Sequence, residues 1–387
     1  GREIYSHHLL DALTRLGHEM HAVVMRPERQ APDDWPLHGR IPVHALGETS
    51  GPAVPPLGPI DRRWRGYWGW SDATLGQLRQ LLHDLSPQFI TATGLDILPA
   101  LAVAPRPAAR LWLALDEPAS FQRSIGRNAE AWSDQLHRLR MAATFAVYQR
   151  TYVRQVDTVV AVSPHDADRF GRVGGFRSVL TLPNGVDADL FQPSEDSVAP
   201  YTAVFWGRLD FEPNIQALTW FLREAWPRVI ADQPEARLRV IGRSPTPVVR
   251  QVTAEATGVE LIGPVDDLRP WAWQSGAVVL PMQSGAGIKN KLLEAAAMGR
   301  PIIASPRAIE GLSADDCWRV ATTAQDWAAQ LTDIWQQPAR AVSLGHRARA
   351  WVCEHHDWKI NARGVVRYAQ AHLGVEGRSS TLERRAA

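Results

Sequence analysis

The sequence has few cysteines and no long apolar segment. Its 387 residues include two cysteines, Cys317 and Cys353, with no CxxC pair and no nearby cluster of Cys and His. Neither a disulfide framework nor a structural zinc site is therefore indicated, and a reducing, cytoplasmic location is expected. No apolar run approaches the ~18 residues that a membrane-spanning helix requires.

The chain also lacks a strong net charge. Lys and Arg together number 42 and Asp and Glu 41, so the formal net charge is +1. Such a balance does not create the positive field that nucleic-acid binders use, and no nucleic-acid partner is expected. No G-x-G-x-x-G follows a predicted strand, which argues against a Rossmann dehydrogenase.

Strand and helix patterns alternate along both halves of the chain. Apolar, β-rich runs such as 158–162 and 203–206 are separated by helical spacing, which predicts parallel sheets flanked by helices. The polar segment 192–200 contains two prolines and lacks periodicity, so it is the predicted linker. Each half is long enough to bury its own core. We therefore predict an α/β chain of two Rossmann-like domains, 1–192 and 200–357, whose parallel sheets face a central cleft.

The most informative segment is a glycine-rich loop followed by a short helix. Residues 284–287, Ser-Gly-Ala-Gly, follow an apolar run, and helical spacing begins at Ile288 and stops at Gly299. Small residues in such a loop let backbone N–H groups approach an anion. Lys289 and Lys291 place positive charge in the first helical turn, where it is unfavourable for the helix itself. The pattern predicts an anion site, and an ordinary strand–helix turn with solvated lysines is the alternative.

A carboxylate follows within two turns of this loop. Glu294 can accept hydrogen bonds from two neighbouring hydroxyls, as a ribose presents them. The alternative is an exposed carboxylate on a helix face. The alanines at 295–297 make that alternative less attractive, because they imply close packing.

This segment resembles the donor-binding signature of glycosyltransferase family 4. In one subgroup of that family a glycine run precedes Arg/Lys-x-Lys-x-x-Glu-Ala, and the chain has this spacing from Gly285 to Ala295. Four further blocks occur in the family's order: Gly17-His-Glu19, Pro183-Asn-Gly-Val-Asp187, Gly207-Arg-Leu-Asp210 and Glu310-Gly-Leu312. The resemblance implies a retaining enzyme with the GT-B fold.

The resemblance implies that Arg208 and Lys289 hold the donor diphosphate. A guanidinium fork suits two phosphate oxygens, and the alternative role of Arg208 is a surface ion pair, for instance with Asp210. Many family members carry a second cation five residues later, where this chain has Pro213. Lys289 is the expected substitute, whereas Lys291 stays open between donor binding and solvent.

The resemblance also assigns the other donor contacts. Glu294 matches the ribose-binding glutamate, but a second family glutamate, eight residues earlier, is Ala286 here, so backbone groups of the loop are expected to recognise the sugar. The family opens with a strand and a glycine-containing loop, of which Gly1 resembles the tail; a first strand is therefore expected before it. The predicted donor-binding residues are Gly1, Gly207, Val265, Gly285, Ala286, Gly287, Ile288, Lys291 and Glu294.

The first half departs from the family at one further position. Many relatives have a histidine after the fourth strand, where this chain has Asp116 and Glu117. Either carboxylate is predicted to orient the acceptor hydroxyl or to support positive charge on the sugar in the transition state. The alternative for Asp116 is a cap on the following turn. A final helix, 358–374, is expected to pack back on the first domain, and the tail 375–387 is expected to fray.

Aromatic residues alternate with arginines between residues 61 and 70. The aromatic members are Trp64, Tyr67, Trp68 and Trp70. They suit contact with a membrane surface, stacking against an acceptor sugar, or core packing with arginines that reach solvent.

The sequence therefore predicts a retaining, metal-independent transferase without a cofactor. It would move a sugar from a nucleotide diphosphate donor to a hydroxyl of a glycan, lipid-linked glycan or small molecule, in the cytoplasm or at the inner face of the membrane. Two Asp-x-Asp tripeptides, at 166–168 and 187–189, are explained by capping. A non-catalytic GT-B partner protein and a nucleotide-sugar epimerase are the alternatives, and Pro213 and Ala286 keep the first of these open.

Overall fold

The computed structural model describes residues 2–25, 39–47, 54–114, 117–127, 132–195, 197–285, 287–314 and 316–373. Gly1, Asp116, Ala286 and the tail 375–387, for which the sequence makes predictions, lie outside the described residues. The chain divides into two compact units. Unit 1 contains the residues up to Pro183 and those from Asn361 onward, and unit 2 contains Asn184–Ile360.

Unit 1 alternates strands and helices. Its elements in chain order are α1 (Arg2–Arg15), β1 (Ala22–Met25), β2 (Val43–Leu46), α2 (Pro59–Trp68), α3 (Asp72–Leu85), β3 (Phe89–Thr93), a 3-10 turn (Leu95–Ile97), α4 (Leu98–Val103), β4 (Ala109–Ala114), α5 (Pro118–Arg127), α6 (Trp132–Thr151), β5 (Thr158–Ala161), α7 (Pro164–Arg169), a π-helical turn (Phe170–Gly174) and β6 (Val179–Thr181).

The strands of unit 1 form two parallel sheets. The larger has the order β3-β4-β5-β6, and β1 pairs separately with β2. Every residue of β4 and β5 is buried, as expected for parallel strands that are covered on both faces. A cavity of about 570 Å³ lies between the two sheets, with Val23 of β1 and Ile90 of β3 in its lining. The two strands β1 and β2 therefore do not extend the larger sheet.

Unit 2 repeats the alternation. Its elements are β7 (Ala199–Trp206), α8 (Glu212–Trp220), a π-helical turn (Phe221–Ala225), α9 (Trp226–Asp232), β8 (Arg237–Ile241), α10 (Pro247–Glu255), β9 (Val259–Gly263), α11 (Arg269–Trp273), β10 (Ser275–Leu280), α12 (Asn290–Ala297), β11 (Ile302–Ala304), β12 (Arg319–Val320), α13 (Ala324–Gln336) and α14 (Pro338–His355).

One six-stranded parallel sheet organises unit 2. Its strand order is β12-β11-β10-β7-β8-β9, so the chain moves outward in one direction from β7 to β9, then returns to the other side of β7 at β10. This is the doubly wound order, and the reversal lies between β7 and β10. The α/β fold with parallel sheets that the sequence predicts is confirmed.

Apolar runs and large aromatics fill the core of unit 2. The last four residues of β10 are buried on both faces, and Phe221 packs edge-to-face on Trp327 of α13, with ring centroids 5.2 Å apart. The alanines at 295–297 are buried in the same core. Their small side chains bring α12 close to the sheet, which fixes the direction of this helix relative to β10.

The start of α13 shows how local sequence sets a helix boundary. The hydroxyl of Thr323 accepts from the N–H of Asp326 at 3.2 Å, and the carboxylate of Asp326 accepts from the N–H of Thr323 at 2.8 Å. This reciprocal capping box stabilises the first turn. We expect Thr323→Ala to lower the free energy of unfolding by about 1 kcal/mol in urea denaturation. Thr322→Ala, at the neighbouring exposed position, should change it by less than about 0.5 kcal/mol, and equal losses in the two variants would contradict the cap.

The last helix of the described residues is α15 (Trp358–Leu373). From Asn361 this helix belongs to unit 1, where the amide of Asn361 donates to the carbonyl of Pro183 at 2.7 Å and the hydroxyl of Tyr368 lies 2.9 Å from that of Ser178. Within the described ranges, none of the helices has the length and apolar character needed to cross a bilayer.

Candidate functional site

The candidate site lies in unit 2, where the strand order reverses. Parallel sheets bind ligands outside the carboxyl ends of their strands at such a reversal, because the chain leaves the two central strands in opposite directions. Here β7 ends at Trp206 and runs into Gly207-Arg208, while β10 ends at Leu280 and runs into the glycine-rich loop. The two segments that the sequence singles out therefore leave neighbouring strands.

Gly207 makes room for polar side chains at the end of β7. It has φ +150°, and a Cβ atom there would lie 2.8 Å from Nδ2 of Asn214 and 2.9 Å from Nζ of Lys291. Gly242, at the end of β8, is equally constrained, because its Cβ would meet the carbonyl oxygen of Gly207 at 1.8 Å. Only glycine fits at both positions, because the backbone segments after β7 and β8 and the Lys291 ammonium leave no room for a Cβ atom.

Lys291 reaches this point from the first turn of α12. Its Nζ donates to Oδ1 of Asn214 at 2.7 Å and lies 4.3 Å from the ring centroid of Phe205 in β7. Burial lowers the pKa of the Lys291 ammonium to about 7, an effect that attraction to Glu294 opposes. The residue nevertheless keeps part of its surface exposed to solvent. A cation held in this way is poised to gain an anionic partner, because such a partner would replace the water it has lost.

Asn214 is a site residue that the sequence analysis missed. Its side chain is buried, accepts from Lys291, and donates to the carbonyl oxygen of Arg208 at 2.7 Å. It therefore joins α8, the turn after β7 and α12. The sequence gives little sign of Asn214, because the family's expected lysine corresponds to the preceding residue, Pro213. Only the fold brings Asn214 to Lys291.

Glu294 lies one turn further along α12 and is held by a tryptophan. Its Oε2 accepts from the indole N–H of Trp206 at 2.7 Å. Burial raises the pKa of the Glu294 carboxyl, whereas the indole and the Lys291 ammonium act in the opposite direction. One carboxylate oxygen is thus fixed by the last residue of β7. The position of Trp206 in the site was also not predicted, although it directly precedes Gly207.

The glycine-rich loop is tied together by Lys289. The ammonium of Lys289 donates to the carbonyl oxygens of Gly285 at 2.9 Å and Gly287 at 2.6 Å, and burial lowers its pKa. Gly285 and Gly287 have φ values of +95° and +74°, which glycine adopts without strain. The predicted start of the helix at Ile288 is corrected, because α12 begins at Asn290 with Lys289 as its N-cap. Lys289 therefore turns back toward the loop, whereas Lys291 lies in the first turn.

The N-terminus of α12 opens toward this loop. The N-cap residue Lys289 makes no side-chain capping hydrogen bond. Helix N-termini without a side-chain cap favour negative charge, because backbone N–H groups and the helix dipole both point at the same place. The carbonyl of Ile288 lies 3.5 Å from the amide nitrogen of Asn184, which also contacts Asn290 at 3.2 Å.

Arg208 forms the ion pair that the sequence analysis gave as its alternative role. Its Nε and Nη2 donate to the two carboxylate oxygens of Asp210 at 3.0 and 2.9 Å, and both side chains are exposed. The hydrogen bond with Asp210 raises the pKa of Arg208 and lowers that of Asp210. An anionic ligand at the end of β7 would have to compete with Asp210 for this guanidinium.

Val265 lies farther from these residues. It follows β9, which is the edge strand of the sheet and is separated from β7 by β8, and it packs partly buried against the core. The structure brings Gly207, Lys291 and Glu294 together around the end of β7, next to the loop that carries Gly285, Gly287 and Ile288. The predicted contact of Val265 with a nucleobase remains a prediction.

Glu117 has a structural place in unit 1. Its fully buried carboxylate accepts from the N–H groups of Ala119 at 3.1 Å and Ser120 at 2.6 Å, and from the amide of Gln149 at 2.6 Å. These contacts cap α5 and join it to α6. Both carboxylate oxygens are thus engaged inside the protein, and the catalytic role of Glu117 stays a prediction. The local sign of such a cap is an acidic residue two and three positions before the N–H groups that it accepts from, at residues 119 and 120.

The aromatic segment between residues 61 and 70 belongs mostly to the core of unit 1. Trp64 and Trp70 are buried, Trp68 is partly buried, and Tyr67 alone of the four aromatics is exposed. Arg65 is also buried, with its Nε 2.9 Å from the carboxylate of Asp61. Core packing is therefore the correct interpretation for Trp64 and Trp70.

Two family descriptions match the chain. Residues 1–190 match the family described as Glycosyltransferase Family 4, and residues 200–337 match the one described as Glycosyl transferases group 1. Among curated proteins, none matches this sequence significantly.

Solved structures with a similar fold are glycosyltransferases of low sequence identity. Sucrose-phosphate synthase from Thermosynechococcus elongatus is 17% identical, with a TM-score of 0.67 over 97% of this chain and 94% of that one. Anabaena HepE in complex with UDP-glucose is 14% identical, with a TM-score of 0.63 over 96% of each chain. A variant of S. aureus TarM in complex with UDP and alpha-GlcNAc-glycerol is 12% identical, with a TM-score of 0.56 over 77% of this chain. The chain spans only 59% of the length of that TarM.

Proposed function

The chain belongs to glycosyltransferase family 4 and has the GT-B fold, and we propose that it transfers a sugar from a nucleotide diphosphate donor to a hydroxyl acceptor with retention of configuration. The observation that carries this proposal is the convergence of the Lys291 ammonium and the Glu294 carboxylate on the end of β7. A cation beside a carboxylate at the strand reversal suits a ligand with a phosphate next to a ribose.

In this proposal Lys291 holds the donor diphosphate. Its Nζ lies 2.9 Å from the position that a Cβ atom on Gly207 would take, so a phosphate oxygen at the end of β7 would contact the Lys291 ammonium directly. Lys291 thereby supplies the positive charge that many family members carry at the position of Pro213. Arg208 becomes the second cation when it exchanges Asp210 for the diphosphate. Because two side chains neutralise the leaving group, we propose a reaction that is unaffected by EDTA.

The remaining donor contacts follow from the loop and from α12. Glu294 accepts from the ribose hydroxyls, and backbone N–H groups of Gly285 to Ile288 contact the diphosphate or the sugar, with Lys289 holding the loop in shape. Residues 200–357 form the donor domain, in which Val265 contacts the base. Unit 1, which includes α15 from Asn361 onward, is the acceptor domain in this proposal.

The chemical step needs no covalent intermediate with the protein. The acceptor oxygen bonds to the anomeric carbon as the bond from that carbon to the diphosphate oxygen breaks, and the acceptor proton passes to the departing phosphate oxygen on the same face. The cations act by stabilising negative charge that grows on the leaving group, which is the condition for accelerating the reaction. The low cysteine content of the chain, two in 387 residues, supports a reducing, cytoplasmic setting.

Donor binding should depend on pH because of Lys291. In the free protein its pKa is lowered to about 7, and contact with a diphosphate favours the ammonium and raises that value. The bound form therefore holds a proton that the free form loses above pH 7, so affinity falls as pH rises, by up to about tenfold per unit. Calorimetry at pH 8 in buffers of different ionisation enthalpy should detect proton uptake on binding of UDP. Equal proton uptake by Lys291→Met would exclude Lys291 as its source.

The proposed function is tested with a panel of UDP-, GDP- and TDP-sugars. UDP-sugars come first, because HepE was solved with UDP-glucose. Nucleotide diphosphate release and thermal stabilisation are measured with and without acceptor hydroxyls and EDTA. Donor-selective stabilisation and release of the diphosphate support the transferase. Conversion of one nucleotide sugar into another without an acceptor would indicate an epimerase, and the absence of stabilisation by any nucleotide would favour a non-catalytic GT-B protein.

A further inference from the structure

Helix α6 of unit 1 carries apolar residues on two opposite sides. On one side Ala142 and Tyr148 are buried in the core, where the ring of Tyr148 contacts that of Trp68 at a centroid distance of 5.0 Å. A surface helix ordinarily pairs one such buried face with a polar face. The opposite side of α6 does not follow this rule.

An exposed apolar row runs along that opposite side. Trp132, Leu136, Leu139, Ala143 and Val147 follow one another at intervals of four, three, four and four residues. At about 100° per residue they fall on one face within ~80°, over a length of about 22 Å. Four of them are exposed large side chains, with 76%, 38%, 54% and 45% of the surface of Trp132, Leu136, Leu139 and Val147 accessible. We call these five residues the α6 stripe.

The size and continuity of the α6 stripe distinguish it from scattered surface residues. Single exposed apolar side chains are common on proteins, but a contiguous apolar row exposes a surface that water disfavours and marks an interaction site. Neighbouring α5 is joined to α6 by a hydrogen bond of 3.0 Å from Arg138 to Gln122.

The charged residues described on α5 and α6 are almost all positive. Arg140 borders the stripe and is exposed, and Arg123 lies exposed on α5, the helix packed beside α6. Asp134 is the one acidic residue in the sequences of α5 and α6, and it lies about 200° around the helix from Trp132. A second copy of the chain packed on this face would bring like charges together, whereas an anionic surface would be complementary to it.

We propose that the α6 stripe docks on an anionic lipid bilayer. In this arrangement Trp132 and the two leucines enter the head-group region with α6 lying parallel to the surface, and Arg140 and Arg123 contact lipid phosphates. An apolar helix face with a tryptophan and flanking arginines has the composition that binds such interfaces. The proposal concerns a surface of unit 1 and does not depend on the proposed transfer reaction.

The test is co-sedimentation with vesicles of phosphatidylcholine alone or with phosphatidylglycerol. The protein should bind the anionic vesicles at least about tenfold better, and added salt should weaken this binding. The triple variant Trp132→Ser, Leu136→Ser, Leu139→Ser should lose it by about tenfold or more, and Arg140→Gln with Arg123→Gln should lose the preference for anionic lipid. Val248→Ser with Val342→Ser, which removes two exposed apolar side chains of unit 2, is the matched control.

Three results would overturn the proposal. They are absence of binding to either vesicle, unchanged binding by the triple serine variant, and equal loss in the unit 2 control. A concentration-dependent dimer that the triple variant abolishes, without vesicle binding, would assign the α6 stripe to a second copy instead. Thermal unfolding of each variant confirms that lost binding does not reflect lost folding.

Discussion

Replacing Lys291 by methionine is expected to lower kcat/KM for the nucleotide-sugar donor by about 10²- to 10³-fold, comparable to removal of one preorganised transition-state donor. The Nζ of Lys291 lies 2.9 Å from the position that a Cβ atom on Gly207 would take, and it donates to Asn214 at 2.7 Å. Methionine keeps the length and the contact with Phe205 but cannot neutralise a diphosphate. Because the leaving group carries more charge in the transition state than in the ground state, kcat should fall as well as affinity.

The same substitution should leave the fold intact. Methionine relieves the desolvation penalty of the Lys291 ammonium but leaves Oδ1 of Asn214 without this donor, so the melting temperature should fall by no more than about 8 °C. Arg250→Met, which removes an exposed positive charge on α10, is the matched control and should retain wild-type kcat/KM. Wild-type donor turnover by Lys291→Met would contradict the assignment and leave Arg208 and Lys289 as the diphosphate cations.

Glu294→Ala is expected to remove the preference of the protein for a ribose over a deoxyribose. A hydrogen bond from a sugar hydroxyl to a carboxylate contributes about 1.5–3 kcal/mol, so wild-type protein should bind UDP roughly 10- to 150-fold more tightly than 2′-deoxy-UDP. Without the carboxylate the two affinities should become nearly equal. Calorimetric titration of both nucleotides measures this ratio, which is insensitive to the fraction of active protein.

The partner of Glu294 provides the control for that experiment. Glu294→Ala leaves the indole N–H of Trp206 without its acceptor at 2.7 Å, which should also cost stability by about 1–3 kcal/mol. Glu294→Gln keeps an acceptor for the indole and should retain stability while weakening the preference for ribose. Trp206→Phe keeps the carboxylate and should preserve that preference. Discrimination against the deoxyribose that survives in Glu294→Ala would place the ribose elsewhere.

The chain departs from the family pattern at two positions of the donor site, Pro213 and Ala286. Pro213 cannot supply a cation. The next residue, Asn214 of α8, holds the ammonium of Lys291, so the positive charge at the end of β7 comes from α12. The position of the missing glutamate, Ala286, lies outside the described residues. The missing cation at Pro213 is therefore compatible with the proposed diphosphate site, which favours the proposed transferase over a non-catalytic partner.

The sequence by itself determined the fold class and the family, and it predicted the segment in which the candidate site lies. Alternating periodicities of two and 3.6 residues are local properties, so runs such as 158–161 and 277–280 predict buried strands without knowledge of their neighbours. The glycine-rich loop and the helix after it are also local, and their spacing identifies the family. The start of α12 was misplaced by two residues, because the apolar spacing begins at Ile288, before the first hydrogen-bonded turn of the helix.

Only the tertiary structure decided which side chains meet at the site and which faces stay uncovered. Asn214 and Lys291 are 77 residues apart, and Trp206 and Glu294 are 88, so their contacts depend on the strand order that places β10 beside β7. The same holds for Glu117, whose cap on α5 is closed by Gln149 from α6. It also holds for the α6 stripe, because one face of that helix is covered by the core and the other is not. Local spacing fixes the direction of a side chain from its own element, whereas the packing of elements fixes what it points at.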